Sequence, residues 1–253
     1  MIIDYSRLFN LASIKRPEFL AAHPFPHVIL DDFLEQPVLK LIEAAFPSPD
    51  SKVWKEPSNT HTQFKRVLRG GPRGLKELNL PELARRVFFE LNSSPFLHFL
   101  SELTGLRSII GDPYLAEAGF HLSGNGGYLD IHADFSHHDV LGLERRLNMI
   151  IFLNSSWQKS YGGELCLYDR DLNPIQEISP IANRCVVFAT SDFSFHGHPK
   201  PMSLPEGVFR KSIAMYYYSV PLPDRRKVAI HFPEDPTFWH MPLETGDGED
   251  RVV

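Results

Sequence analysis

The chain has 253 residues, 43% hydrophobic and 23% charged, with 26 basic against 31 acidic side chains and a net charge of −5. Such a composition supplies a buried core and excludes a wholly disordered or low-complexity protein. The mildly acidic balance, without a basic block, argues against a binder of the nucleic-acid backbone. Two cysteines, Cys166 and Cys185, without a C-x-x-C spacing, argue against a disulfide scaffold, a thiolate zinc site or an iron–sulfur cluster.

From Met1 to Phe19 no basic segment leads into an apolar stretch, so no signal peptide is expected. Apolar runs such as Met149–Leu153 are too short to span a bilayer. These features point to a cytoplasmic protein with no membrane and no nucleic-acid partner; Arg225-Arg226-Lys227 reads as a solvated turn. Phe25–Leu30 reads as a short buried strand, and Leu34, Val38, Leu41, Ile42 and Ala45 recur at helical spacing until Pro47 and Pro49 end the helix. Asp50 to Gly74 is polar and glycine-rich and reads as a long loop. Pro81 opens a second helix with Leu83, Val87, Phe88 and Leu91 on one face, and a third covers Pro95 to Leu103 and stops at Gly105.

Beyond Ile109 the pattern changes to successive strands separated by Gly, Asn, Asp or Pro: Ala116–Leu122, Tyr128–Ala133, Leu147–Leu153, Glu164–Tyr168, Arg184–Ala189 and Ser212–Val220. Gly124-Asn125-Gly126-Gly127 and Gly162-Gly163 read as turns between them. Many short strands without intervening helices indicate a sandwich or jelly roll rather than a βαβ sheet. The proline-rich tail from Pro221 to Val253 is expected to fray at its end, with Phe238-Trp239 expected to pack back on the domain.

Three signals carry chemistry. On a strand, residues two apart project to the same side, so His132 and Asp134 can offer an imidazole and a carboxylate to one cation. Taken alone, each is equally well a strand-end polar group bonded to backbone. Far downstream, the strand ending at Ala189 delivers His196-Gly197-His198-Pro199. Two imidazoles and one carboxylate leave open octahedral positions on a metal, as in non-haem Fe(II) oxygenases. Third, alternation along Arg210–Ser219 puts Arg210, Ser212, Ala214 and Tyr216 on one face and Lys211, Ile213, Met215 and Tyr217 on the other. A planar guanidinium beside a hydroxyl suits a carboxylate, although a surface arginine starting a strand would look the same.

In this order, His132-Ala133-Asp134, His196 and Arg210-Lys211-Ser212 resemble the 2-oxoglutarate- and Fe(II)-dependent oxygenases, in the branch related to prolyl 4-hydroxylases. Arg146–Asn154, Trp157 and Gly162-Gly163-Glu164-Leu165 frame them as in that family, over about residues 114–220. The resemblance implies a mainly β protein with flanking helices: a double-stranded β-helix (jelly roll, cupin-like) over residues 111–220. A helical support region at 1–110 and a C-terminal extension at 221–253 complete a single oxygenase domain. It further implies Fe(II) on His132, Asp134 and His196, with 2-oxoglutarate chelating the metal and dioxygen as the second co-substrate. Arg210 and the Ser212 hydroxyl would hold the distal carboxylate. Relatives often place tyrosines near the co-substrate; here Leu122 and Phe152 stand near those positions, and Asn148 or His121 is the polar substitute.

His198 rivals His196, which is preferred because family members usually carry H-G-x-P; Lys211 rivals Arg210 but shares a face with Ile213 and Met215. Retention of Asp134 favours hydroxylation over the related halogenation. The expected substrate is a small molecule or amino-acid-like compound. A prolyl or peptidyl hydroxylase acting on a protein is the alternative, and a non-redox cupin-like metal- or sugar-binding module is the third reading. His137 and His138 read as solvated or loop-capping, Tyr216, Tyr217 and Tyr218 as strand packing, and Arg145 as a charged strand start rather than a substrate anchor. Nothing in the sequence speaks to oligomeric state.

Overall fold

Alternation on the last strand builds two cores. In the computed structural model, which describes residues 3–54, 62–69, 82–115, 118–138 and 141–221, this strand, β9, spans Arg210–Ser219. It lies between β4 (Glu144–Phe152) and β3 (Gly119–His132), antiparallel to both. From its outer face Ile213, Met215 and Tyr217 enter a large core shared with helices. Its inner face turns toward a smaller core made by Phe25, Phe152, Leu165, Leu167, Ile178, Val186 and Phe188. An alternating strand with an apolar residue on most positions can bury both faces in this way.

The strands form one rolled antiparallel sheet. With β1 (His27–Leu30), β5 (Leu165–Tyr168), β6 (Pro174–Ile178), β7 (Cys185–Ala189) and β8 (His196–His198), the order is β1-β7-β4-β9-β3-β8-β5-β6. Side chains of β5 and β6 meet those of β4 and β7 in the smaller core, so the two ends of the sheet face each other as in a jelly roll. The large core is closed by α1 (Tyr5–Ala21), α2 (Gln36–Ala45), α3 (Glu82–Leu91) and α4 (Ser94–Thr104). The fully buried Tyr217 spends its hydroxyl by donating to the Leu91 carbonyl at 3.0 Å, which ties β9 to α3.

Several elements differ from the sequence expectation. The glycine run does not separate two strands: β3 continues from Gly119 to His132, with Gly126 at φ 74°. Its first part pairs with β9 and its second with β8, so the run is the bend at which one strand passes between the two halves of the sheet. The expected long loop contains β2 (Thr62–Arg69), which takes its ladder from β3; its start, 50–54, forms neither helix nor strand, and the remainder, like Pro81, lies outside the described residues. Helix α1 was not anticipated because only Leu8, Ala12 and Phe19 are buried and Pro17 lies within it, which blurs the helical period. Asp4 caps it by accepting from the Arg7 amide at 3.2 Å, and it packs on α4 through Phe9 and His98. The expected packing of Phe238-Trp239 falls outside the described residues.

The β3–β8 contact leaves no room at Gly197. A Cβ there would stand 2.7 Å from the Asp130 carbonyl oxygen and 2.8 Å from that of Leu129. Both are backbone atoms, so the strands must separate to admit a methyl group. Gly197→Ala is expected to destabilise the fold by about 1–3 kcal/mol, read as a lowered thermal midpoint.

Candidate metal centre

The register of β3 against β8 sets His132 directly opposite His196. Their ring centroids are 4.5 Å apart, and Phe188 packs edge-on against His196 at 4.8 Å. Each ring uses Nδ1 in the same way. His132 Nδ1 lies 2.8 Å from the Asp130 carbonyl oxygen and His196 Nδ1 lies 2.9 Å from that of Ser194. A carbonyl only accepts, so both Nδ1 atoms carry the proton and both Nε2 lone pairs are free to ligate. Those Nε2 atoms converge on Asp134: 3.6 Å from His132 to Oδ1 and 3.4 Å from His196 to Oδ2. One ligand atom from each of the three lies within 4.8 Å of the others, the only such group of three among the described residues. His198 is buried beside Leu129 and lies outside that group.

The electrostatics suit a cation. Burial pushes the Asp134 carboxyl up, but the Arg145 guanidinium and the two imidazoles outweigh it and hold the pKa well below the ordinary carboxylate value. Burial, only partly offset by Asp134, pushes His196 down to about 4, so the ring is neutral near pH 7. An anionic oxygen and neutral imidazole nitrogens in one cluster form a good donor set for Fe(II).

Arg210 enters the same inner face. It is 8% exposed, donates from Nε to the Gly163 carbonyl at 2.8 Å and lies over the Phe152 ring at 5.0 Å. Among the described residues it has no carboxylate partner within 4 Å. Burial lowers its pKa to about 10, with Glu164 opposing, so the group keeps its charge near neutrality. Gly163, at φ 76°, is the cradle for this side chain: an added Cβ would meet Arg210 Cδ at 3.2 Å and Met202 Sδ at 2.5 Å. Ser212 is buried one step along the same face, opposite His121 on β3 and Phe152 on β4. Leu122 pairs with Lys211 instead, on the outer face, and Lys211 lines a surface cleft with Glu43, Phe46 and Trp157.

Asn148 is drawn to the metal group rather than to Arg210. Its amide nitrogen donates to Asp134 Oδ2, and its oxygen accepts from Arg145 Nε at 2.8 Å. Arg145 also reaches Asp134 Oδ2 through Nη2 at 3.2 Å and stacks over the Tyr216 ring at 3.6 Å. The expectation of a charged strand start therefore misses a 5% exposed arginine at the centre. A β-bulge between Arg145 and Leu147 is the reason: strict alternation would send Arg145 outward with Leu147 and Met149, and the extra residue turns it inward with Asn148. The adjacent pair Arg145-Arg146 at the head of an apolar strand is the only sequence trace of it. His138 is buried, accepts the Leu141 amide at Nδ1 and faces Asp112 Oδ1 from Nε2 at 3.2 Å, so it fastens the loop after Asp134; His137 bonds Ser136 at the surface.

The model of the 2OG-Fe(II) oxygenase superfamily matches residues 118–218, which contain every one of these side chains except Glu43, Phe46 and Asp112. Among curated proteins, prolyl 3-hydroxylase OGFOD1 of Mus musculus is 34% identical over 106 residues, 40% of this chain and 18% of that protein. The Xenopus laevis protein of the same name is 29% identical over 211 residues, 79% of this chain and 36% of that protein. The chain thus spans well under half the length of these relatives. Among solved structures, a prolyl-4-hydroxylase from Pseudomonas putida superposes with a TM-score of 0.58 at 14% identity, covering 83% of this chain and 99% of that one. A prolyl 4-hydroxylase from Phytophthora capsici gives 0.59 at 18% identity, covering 94% and 78%. At these identities the superpositions speak for the shared fold.

The geometry separates the two histidines of the H-G-H segment. His196→Ala is expected to abolish stoichiometric binding of a divalent metal, while His198→Ala keeps it, as measured by equilibrium dialysis under anaerobic conditions.

Proposed function

We propose that this chain, whose residues 118–218 match the model of the 2OG-Fe(II) oxygenase superfamily, hydroxylates an unactivated C–H bond of a prolyl residue in a polypeptide, using Fe(II), 2-oxoglutarate and dioxygen. The observation that carries this reading is the pairing of a His–Asp–His donor set with a buried guanidinium, Arg210, that has no acidic partner of its own among the described residues. A buried charge without a counterion is costly, and the distal carboxylate of 2-oxoglutarate supplies one with matching geometry. In a redox-silent metal- or sugar-binding module this guanidinium would have no role.

His132, Asp134 and His196 would hold the iron, and Arg210 with Ser212 would hold the far end of 2-oxoglutarate. When bound, iron supplies the redox chemistry by which one dioxygen, 2-oxoglutarate and a C–H bond become succinate, carbon dioxide and a C–OH group. The residues of the chain prepare that event. The backbone carbonyls of Asp130 and Ser194 fix the imidazole tautomers, and Phe152, Phe188, Leu165 and Leu167 line the inner face and keep water from it. The Gly163 carbonyl orients the Arg210 fork before any ligand arrives.

The sequence reading ranks a small-molecule substrate first. Two observations weigh toward a polypeptide instead. The curated relatives carry names that specify prolyl 3-hydroxylation. The centre also opens to the surface on one side, where the His132 side chain is 31% exposed and the adjacent Phe135 is 79% exposed. An extended chain can lie across such an opening without being enclosed.

Succinate formed from 2-oxoglutarate in the presence of Fe(II) and oxygen tests the activity. Arg210→Ala is expected to raise the KM for 2-oxoglutarate about 10- to 100-fold, the loss of a charge-assisted pair, with Lys211→Ala near wild type; the reverse ranking would move the anchor by one residue. Proline-containing peptides should stimulate turnover and gain 16 mass units, about one oxygen atom, whereas stimulation by free amino acids alone would return the substrate to the small-molecule class.

A further inference from the structure

Asp134 carries more partners than a metal ligand needs. Oδ2 accepts from Arg145 Nη2 at 3.2 Å and from the Asn148 amide and faces His196 Nε2 at 3.4 Å, while Oδ1 is 3.6 Å from His132 Nε2. The two donors are themselves joined, Arg145 Nε to Asn148 Oδ1 at 2.8 Å, and the guanidinium is backed by the Tyr216 ring. Arg145 is held from behind as well: its amide donates to the Ser136 carbonyl at 2.8 Å, in the loop that follows Asp134. Carboxylate, guanidinium, amide and aromatic ring thus form a closed set, with Arg145 and Asn148 buried and Asp134 and Tyr216 half-buried.

Resting on the metal-binding reading above, we propose that Arg145 and Asn148 are positioning residues that clamp the Asp134 carboxylate in the orientation in which its two oxygens face the Nε2 atoms of His132 and His196. A freely rotating carboxylate would lose the orientation in which both imidazoles face it. With two donors on Oδ2, the carboxylate is held in that orientation before a metal would bind. The bulge at Arg146 exists on this account to aim Arg145: without it, the guanidinium would face the helices.

The proposal makes a prediction of opposite sign to simple electrostatics. A cation beside a metal ligand repels the metal, so if Arg145 contributed only its charge, removing it would tighten metal binding. If Arg145 positions the carboxylate, removing it loosens binding despite the lost repulsion. Titration of the purified metal-free protein with Co(II) alone, followed by calorimetry and by the visible absorption of the bound ion, separates the two. Arg145→Gln and Asn148→Leu are each expected to weaken Co(II) binding about 10- to 100-fold and to change the band shape and intensity, which report coordination number. Arg145→Lys keeps the charge without the fork and is expected to behave like Arg145→Gln. Far-UV circular dichroism and thermal melting show that the variants compared are folded; Asn148→Leu, which leaves Arg145 in place, carries the test if an arginine variant is not. Unchanged or tighter Co(II) binding in Arg145→Gln or in Asn148→Leu, or wild-type behaviour of Arg145→Lys, overturns the clamp. Wild-type protein that fails to bind Co(II) overturns the metal-centre reading itself, so the two failures are distinguishable.

Discussion

One cross-strand pair organises the molecule: His132 on β3 opposite His196 on β8. A strand ladder places partners only a few ångströms apart, so two residues remote in sequence acquire a fixed separation once the register is set. Register here depends on the glycine run that lets β3 leave β9 and join β8, and on Gly197, whose missing side chain lets β8 lie against the Asp130 and Leu129 carbonyls. The three metal-directed side chains follow from that geometry, because Asp134 comes just after the end of β3 and the Nε2 atoms already point at it.

Charge is distributed around this pair in a way that a ligand-free protein has little reason to maintain. Asp134 is held by the Arg145 guanidinium and the Asn148 amide, and Arg210 is buried without a carboxylate within 4 Å among the described residues. Burying an unpaired guanidinium costs free energy, so its presence in the inner face of a well-packed sheet marks a site for an anion. The outer face of the same strands shows the opposite policy: Ile213, Met215, Tyr217, Leu147 and Met149 pack into the large apolar core against the helices. One strand, β9, therefore serves stability on one face and ligand chemistry on the other.

Much of this was legible in the sequence wherever strict alternation holds. Spacing two places His132 and Asp134 together, and the same rule divides Arg210 and Ser212 from Lys211, as the registers with β3 and β4 show. Legibility fails where alternation is interrupted. The bulge at Arg146 reverses the side on which Arg145 emerges, and a reader counting by twos sends it to the wrong face. The glycine run reads as a turn because glycine marks turns and bulges alike, and only the pairing partners decide between them. Strand β2 has no clean period of its own and owes its form to β3, while β6 has mostly exposed positions and is recognisable only through its pairing with β5. Helix α1 is likewise supported by α4 rather than by a marked apolar stripe. The convergence of His196 on His132 is a tertiary event, which spacing along the chain can suggest only through resemblance to a known family.

The central claim is that a metal held by His132, Asp134 and His196 and a dicarboxylate held by Arg210 occupy one site. Mixing the protein anaerobically with Fe(II) and 2-oxoglutarate and recording the visible metal-to-ligand absorption band tests it most directly. The account predicts a band in the wild-type protein that appears only when both components are present, and that in Arg210→Ala requires far more 2-oxoglutarate. Iron that binds with no such band at saturating 2-oxoglutarate, or a band indifferent to the loss of Arg210, would contradict it.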